Sequence, residues 1–198
     1  LLVGGQGARV KHVHFGGGTP TYLEDRHIAD ILTAVDTGFG LASGAEVALE
    51  SDPRTLPRER AKVLAGLGFN RISFGVQDFA LPVQMKINRL QTYGLVAAAT
   101  GYLRDAGFAS VNFDLMYGLP AQTRDSVART ARQAAQLAPD RIAVFGYAHV
   151  PWFKKHQKMI EEAELPGVAE RYAQARTIEA ELTTAGYADI GLDHFALP

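Results

Sequence analysis

The residues with chemical potential fall in a few short clusters. Gly16-Gly17-Gly18-Thr19-Pro20 joins three glycines to a hydroxyl. Glu50 closes Val47-Ala48-Leu49-Glu50, Gln77 and Asp78 follow Gly75-Val76, and Asp114 sits between Phe113 and Leu115. Arg89 stands after Ile87-Asn88, and Ala148-His149 follows Tyr147. Glycines without Cβ let backbone N–H groups close on a carboxylate or phosphate. The loop lacks the Gly-Lys-Ser/Thr of a P-loop and the spacing of the dinucleotide fingerprint, so it is equally a tight turn, with Thr19 near a helix cap and Pro20 in its first turn. Glu50 either pairs with a neighbouring base or holds a ribose diol or ammonium group. Asp114 lies mid-strand, where a buried carboxylate costs several kcal/mol unless paired; it needs a partner such as Arg71 or Arg141, or a ligand. Arg89 is either a solvated surface arginine or part of a site.

Other chemistries are excluded or weak. The six histidines, at positions 12, 14, 27, 149, 156 and 194, show no helical metal spacing. No serine nucleophile elbow is present. The chain has no cysteine, so it holds no disulfide framework and no thiolate metal site. Trp152 and Phe153 after Pro151 read as loop packing.

These groups need a scaffold, and the sequence supplies one by alternation. His12–Phe15, Ala45–Leu49, Arg71–Val76, Ser110–Met116 and Arg141–Tyr147 read as strands, with Ala188–Leu192 a weaker sixth. Between them lie helical patterns over Leu23–Val35, Arg58–Leu67, Tyr93–Ala106, Arg124–Leu137 and Val168–Ala185. Gly68, Gly107 and Gly186 mark helix ends, and Pro57 suits a first turn. Strand then helix, repeated, gives βαβ units and a parallel sheet. The strands mix apolar with polar positions, as Ile72 and Phe74 alternate with Ser73, whereas a doubly wound sheet would read as continuous apolar runs. One polar face suits the interior of a (β/α) barrel, open or closed, in a single domain over 1–198. In such barrels function sits at the C-terminal ends of the strands.

Composition narrows the partners. With 20 Lys and Arg against 21 Asp and Glu in 198 residues, the net charge of -1 offers no basic field for nucleic acid and no polybasic run for a membrane surface. Apolar stretches such as Leu95–Ala99 fall far short of the ~20 residues of a membrane span. No signal peptide is visible in Leu1–Val10, so a cytoplasmic protein is expected; a monomer is expected as well. Because the chain opens on Leu1-Leu2-Val3 and stops at Leu197-Pro198 after a strand-like run, it is expected to be a piece of a longer protein.

Taken together, His14-Phe15-Gly16-Gly17-Gly18-Thr19-Pro20-Thr21-Tyr22-Leu23 resembles the glycine-rich element of radical S-adenosylmethionine enzymes. Four further segments resemble the oxygen-independent coproporphyrinogen III oxidases of that superfamily: Glu50–Pro53, Gly75–Phe79, Asn112–Pro120 and Tyr147–Pro151. The resemblance runs from about residue 12 to residue 198, with motif order and spacing kept. A related haem chaperone subgroup carries Leu-Gly-Arg where this chain has Ile87-Asn88-Arg89, and a Tyr-Glu pattern in place of Leu192-Asp193-His194-Phe195-Ala196. Both differences favour the oxidase; the alternative is a chaperone-like homologue that binds haem without this activity.

The resemblance implies a curved (β/α)6 barrel, here partial, with the first strand missing. It implies a [4Fe–4S] cluster held by a C-x3-C-x2-C motif and cleavage of S-adenosylmethionine to a 5′-deoxyadenosyl radical. That radical takes hydrogen from propionate side chains of coproporphyrinogen III, and loss of two carbon dioxides gives protoporphyrinogen IX for haem synthesis, with an external electron donor. Two S-adenosylmethionine molecules are implied. Gly17 and Glu50 correspond to contacts of the first; Gly18, Thr19, Gln77, Arg89, Asp114 and Ala148 correspond to contacts of the second. The resemblance implies that the cluster motif lies upstream of the glycine loop, which agrees with the absence of cysteine here; the fragment alone is expected to be inactive.

Overall fold

The computed structural model describes residues 9–198. Its strands are β1 (Val10–Phe15), β2 (Leu41–Ser51), β3 (Arg71–Gln77), β4 (Ser110–Tyr117), β5 (Arg141–Gly146), β6 (Ala188–Gly191) and β7 (His194–Ala196). Its α-helices are α1 (Asp25–Phe39), α2 (Arg58–Gly66), α3 (Leu81–Lys86), α4 (Tyr93–Ala106), α5 (Arg124–Gln136) and α6 (Val168–Thr184). The strands form one sheet in the order β1-β2-β3-β4-β5-β7-β6. β1 to β5 are parallel neighbours, as crossover helices require. The sheet curls into a half-barrel, and among the described residues β1 pairs with β2 alone.

The sixth strand departs from expectation. β6 is shorter than Ala188–Leu192 and does not extend the parallel ladder: Leu192 and Asp193, with φ of 53° and 60°, form a two-residue turn that sends the chain back as β7. β7 then pairs antiparallel with both β5 and β6. Positive φ at both central residues is the geometry of a type I′ hairpin, for which Leu-Asp is an unusual sequence.

The strand alternation has the physical cause expected of it. On β3, Ile72, Phe74 and Val76 are fully buried, whereas Arg71, Ser73, Gly75 and Gln77 are partly accessible on the other face. Phe113 and Leu115 on β4 and Ile142 and Val144 on β5 join the same core, together with Val96 and Leu103 of α4 and Val127 and Ala131 of α5. Burying a side chain of this size is worth about 1.5–3 kcal/mol, so the outer face holds the layers together. The inner face is thereby left free for polar groups.

Local signals fix the crossovers. Thr92 accepts the N–H of Leu95 at the start of α4, and Gly107, at φ 91°, ends it in the left-handed region. Thr123 and Ser126 exchange side chain–backbone hydrogen bonds at the start of α5. Pro57 proves to be the residue before α2 rather than in its first turn. No described helix is long and apolar enough to cross a membrane.

Candidate functional site

The glycine loop leaves the C-terminal end of β1. Gly17 and Gly18 have φ of 90° and 74°, where a side chain would be strained. At Gly16 a Cβ would come within 3.0 Å of the Glu50 carboxylate. The turn continues into one 3-10 turn, Pro20–Tyr22, with Pro20 first; the Thr19 hydroxyl makes no capping bond. The loop is therefore the tight turn into a short helix, and it also packs against an acid. The Gly17 N–H donates to Glu50 Oε2 at 3.1 Å, and His14 Nε2 lies 3.4 Å from Glu50 Oε1.

Arg89 is not a solvated surface residue. Its side chain is about one-quarter exposed, its Nη2 donates to the Gly75 carbonyl at 2.8 Å and its Nε is buried without a partner. The same Nη2 lies 3.3 Å from Asp52 Oδ2. Asp52 is also held by Arg54, through Nε at 3.0 Å and Nη2 at 2.7 Å. Burial pushes the Asp52 carboxyl up, but the Arg54 hydrogen bonds and the Arg89 charge outweigh it and leave the group below its ordinary value. Burial pushes the Arg89 guanidinium down, partly offset by Asp52.

The segment presenting Arg89 is itself clamped. The Gln84 side chain accepts the N–H of Gln91 at 3.0 Å and donates to the Asp78 carbonyl at 2.9 Å. The Gln91 amide reaches back to the carbonyls of Gly75 and Val76. Asn88 takes φ 52° to make the bend, a conformation Asn tolerates well. Gln77, at φ 66°, holds a backbone unusual for its type. A Cβ on Gly75 would lie 2.7 Å from Gln77 Nε2 and 3.2 Å from Arg89 Nη2, so glycine there makes room for both side chains.

Asp114 finds neither arginine suggested for it. Ser73 donates to its Oδ1 at 3.1 Å, while Arg71 pairs with Glu46 at 2.9 Å. Burial raises its carboxyl above the ordinary value, opposed by Ser73 and reinforced by the Glu50 charge. Asp78 plays a different part. It is fully buried and accepts from Gln122, Thr130 and the Ala80 N–H at 2.6, 2.9 and 2.6 Å, pinning the end of β3 to α5. Burial raises its carboxyl too, against those three hydrogen bonds.

A cavity of about 180 Å³ brings Gly18, Thr19, Glu50, Gln77, Arg89 and Asp114 together. Glu50 and Asp114 also line a second cavity of about 280 Å³ along the inner face, and Gln77 and Arg89 line a third of about 360 Å³. Gly17 reaches the site through Glu50. Ala148 lines none of these three cavities; it is exposed, its carbonyl accepts from Gln157 at 3.0 Å, and its neighbour Tyr147 lines the third. Sequence reasoning assigned no role to Asp52, Ser73 or Gly75, all of which line the first cavity. The signal for Ser73 and Gly75 was present, because strand positions two apart from Gln77 must share its face. Carboxylates beside an arginine suit a ligand that carries both an ammonium and a carboxylate.

The profile of the Radical SAM superfamily matches residues 3–134. The chain is 49% identical over 194 residues to the oxygen-independent coproporphyrinogen III oxidase of Bradyrhizobium diazoefficiens, covering 98% of this chain and 43% of that protein. The enzyme of the same name from Escherichia coli is 42% identical over 192 residues, covering 97% and 42%. A solved structure of the Escherichia coli coproporphyrinogen III oxidase, described as a radical SAM enzyme, superposes with a TM-score of 0.91 at 42% identity over 96% of this chain and 44% of that one. The archaeal Elp3 of Methanocaldococcus infernus, at 15% identity and a TM-score of 0.67, shares the fold. The chain thus spans somewhat over two-fifths of the length of the curated relatives it matches. By the profile, the motif order and the half-barrel alike, this chain belongs to the radical SAM superfamily.

Proposed function

We propose that the protein to which this chain belongs oxidatively decarboxylates two propionate side chains of coproporphyrinogen III to vinyl groups, and that the inner face described above holds two S-adenosylmethionine molecules. Membership of the superfamily implies S-adenosylmethionine and a [4Fe–4S] cluster as cofactors. Together these supply one-electron chemistry that removes hydrogen from an unactivated carbon. The observation carrying the reading is the convergence of six motif residues on one cavity of mixed charge, in a chain that is 41–49% identical to eight relatives carrying this enzyme name.

The residues fit S-adenosylmethionine and not the cluster. An iron–sulfur cluster is held by thiolates, the chain contains no cysteine, and no metal-binding group of His, Cys, Asp and Glu occurs among the described residues. The cluster's ligands therefore lie outside these 198 residues. For S-adenosylmethionine, Glu50 offers acceptors to ribose hydroxyls or an ammonium group. The glycine loop offers backbone at close range. Arg89 offers donors to a carboxylate, and its buried, unpartnered Nε shows that its hydrogen-bonding capacity is unfilled. Asp114 accepts from a cationic group when ionised. Partial burial of Arg89 and Asp114 strengthens their contacts relative to bulk water.

The haem chaperone alternative loses one of its two contrasts. Asn88 stands in the left-handed region, which Asn and Gly both tolerate, so Asn in place of Gly leaves the backbone unchanged. The coproporphyrinogen oxidase reading rests instead on overall identity to the named relatives. Equilibrium titration of S-adenosylmethionine into the full-length protein tests the cofactor assignment. Binding that weakens in Glu50→Ala and in Arg89→Ala is expected; binding indifferent to both removes this cavity from the reading.

A further inference from the structure

The inner face continues beyond the proposed cofactor site, toward the start of β5. Arg141, Ala143 and Phe145 alternate on that strand and line the cavity of about 280 Å³. Arg141 lies level with Asn112, whereas Asp114 lies level with Ala143, one step nearer the loops. Two arginines reach this cavity and differ in state. Arg71 is clasped by Glu46, its Nη1 donating to both carboxylate oxygens at 3.0 and 2.9 Å. Arg141, among the described residues, forms no ion pair. A partly buried guanidinium that lines a cavity and is itself in no ion pair is a ready bidentate donor for a ligand's carboxylate. Of the carboxylates sharing the cavity, Glu50 accepts from Gly17 at its loop end, and Asp114 accepts from Ser73, which lies level with Asn112 and Arg141.

Phe145 adds an apolar surface to the same face. The residue is 43% exposed, unusual for a large apolar side chain beside the buried Ile142, Ala143 and Val144 of the same strand. It stands edge-to-face against His194 with centroids 6.1 Å apart, so the ring is held in place rather than loose. It lies four residues along the strand from Arg141, about 13 Å of backbone. A flat macrocycle bearing an acid arm covers that span; a free amino acid does not.

We infer that the β5 face is a substrate subsite, in which Arg141 binds a propionate carboxylate of the polycarboxylate macrocycle and Phe145 lies against one of its pyrrole rings. The inference rests on the proposed function and adds an anchor to it. Because Arg141 starts β5 while the cofactor residues sit at the strand ends, the carboxylate it holds is an anchoring arm and not the one undergoing reaction.

The test uses the full-length, cluster-loaded protein under anaerobic conditions. Coproporphyrin III, the stable oxidised form with the same four propionates, is titrated by fluorescence, and turnover of coproporphyrinogen III is followed alongside. Arg141→Gln is expected to weaken coproporphyrin III about ten- to hundredfold, the loss of a charge-assisted contact. Arg141→Lys should fall between it and the unaltered protein, and S-adenosylmethionine affinity should be unchanged in both. The tetramethyl ester, which lacks the carboxylates, should not discriminate Arg141→Gln from the unaltered protein. Equal coproporphyrin III affinity in Arg141→Gln, or a matching loss for S-adenosylmethionine, overturns the inference. Should Arg141→Gln not fold, Phe145→Ser decides: unchanged affinity there overturns it as well. An unaltered protein that leaves coproporphyrinogen III untouched removes the proposed function, whereas turnover by it with indifference to Arg141 removes this subsite alone.

Discussion

Nη2 of Arg89 lies 3.3 Å from Oδ2 of Asp52, a carboxylate already gripped by the guanidinium of Arg54. One nearly buried acid thus aims two arginines at the same end of the inner face. Because its folded carboxyl sits below the ordinary value, Asp52 contributes stability that is present above the unfolded value of 3.8 and is lost as pH falls through the depressed folded one. Asp52→Asn is expected to cost about 1.5–3 kcal/mol at neutral pH and to remove part of the acid sensitivity below about pH 4. Denaturant titrations at pH 7 and pH 3 check this; equal losses at both values contradict it.

Asp78 gives the opposite sign. Its carboxyl is raised by burial, so the charged form is disfavoured in the fold, and stability declines as pH rises from the unfolded value toward the raised one. Its hydrogen bonds still matter: Asp78→Ala strands the Ala80 N–H and the Thr130 hydroxyl and is expected to cost about 2–4 kcal/mol. Chemical denaturation measures the loss. A cost below about 1 kcal/mol shows that β3 is not pinned to α5 through this group.

Gln77 holds a left-handed backbone, φ 66°, at the edge of the cavity of about 180 Å³. Such strain costs of order 1–3 kcal/mol and persists where function retains it. Gln77→Gly is expected to leave stability equal or slightly higher while weakening S-adenosylmethionine about tenfold. A variant that is both less stable and unchanged in affinity makes Gln77 a structural residue.

Asp114 must be ionised to accept from a cationic ligand group, and burial delays that ionisation. Affinity for S-adenosylmethionine should therefore strengthen as pH rises through the raised value of Asp114, and Asp114→Asn should flatten that dependence. Titration calorimetry between pH 5 and 8 reads the slope; the same slope in the variant assigns it elsewhere.

Much of this was legible in the sequence, for identifiable reasons. α4 matches its expected bounds because Thr92 and Gly107 bracket an amphipathic run. α3 escaped notice because six residues are too few for a period, and Pro82 sits at their start. β2 begins at Leu41, not Ala45, since Gly44 at φ 74° breaks the alternation while the register slips between Val10 and His12. The β6–β7 reversal was hidden because Leu192-Asp193 carries no turn signature. At the site, the polar strand positions were visible, but Asp52 was not distinguished from the proline turn around it. Its value comes from Arg54 and Arg89 meeting there, a tertiary fact.

The central claim is that the inner face serves the decarboxylation of coproporphyrinogen III. Anaerobic incubation of the full-length protein with S-adenosylmethionine, a low-potential reductant and coproporphyrinogen III, followed by mass spectrometry of the oxidised products, tests it most directly. The account predicts a product in which two propionates have become vinyl groups, with formation greatly slowed in Glu50→Ala and Arg89→Ala. Unchanged coproporphyrinogen III with the cluster fully loaded, or undiminished product from both variants, would contradict it.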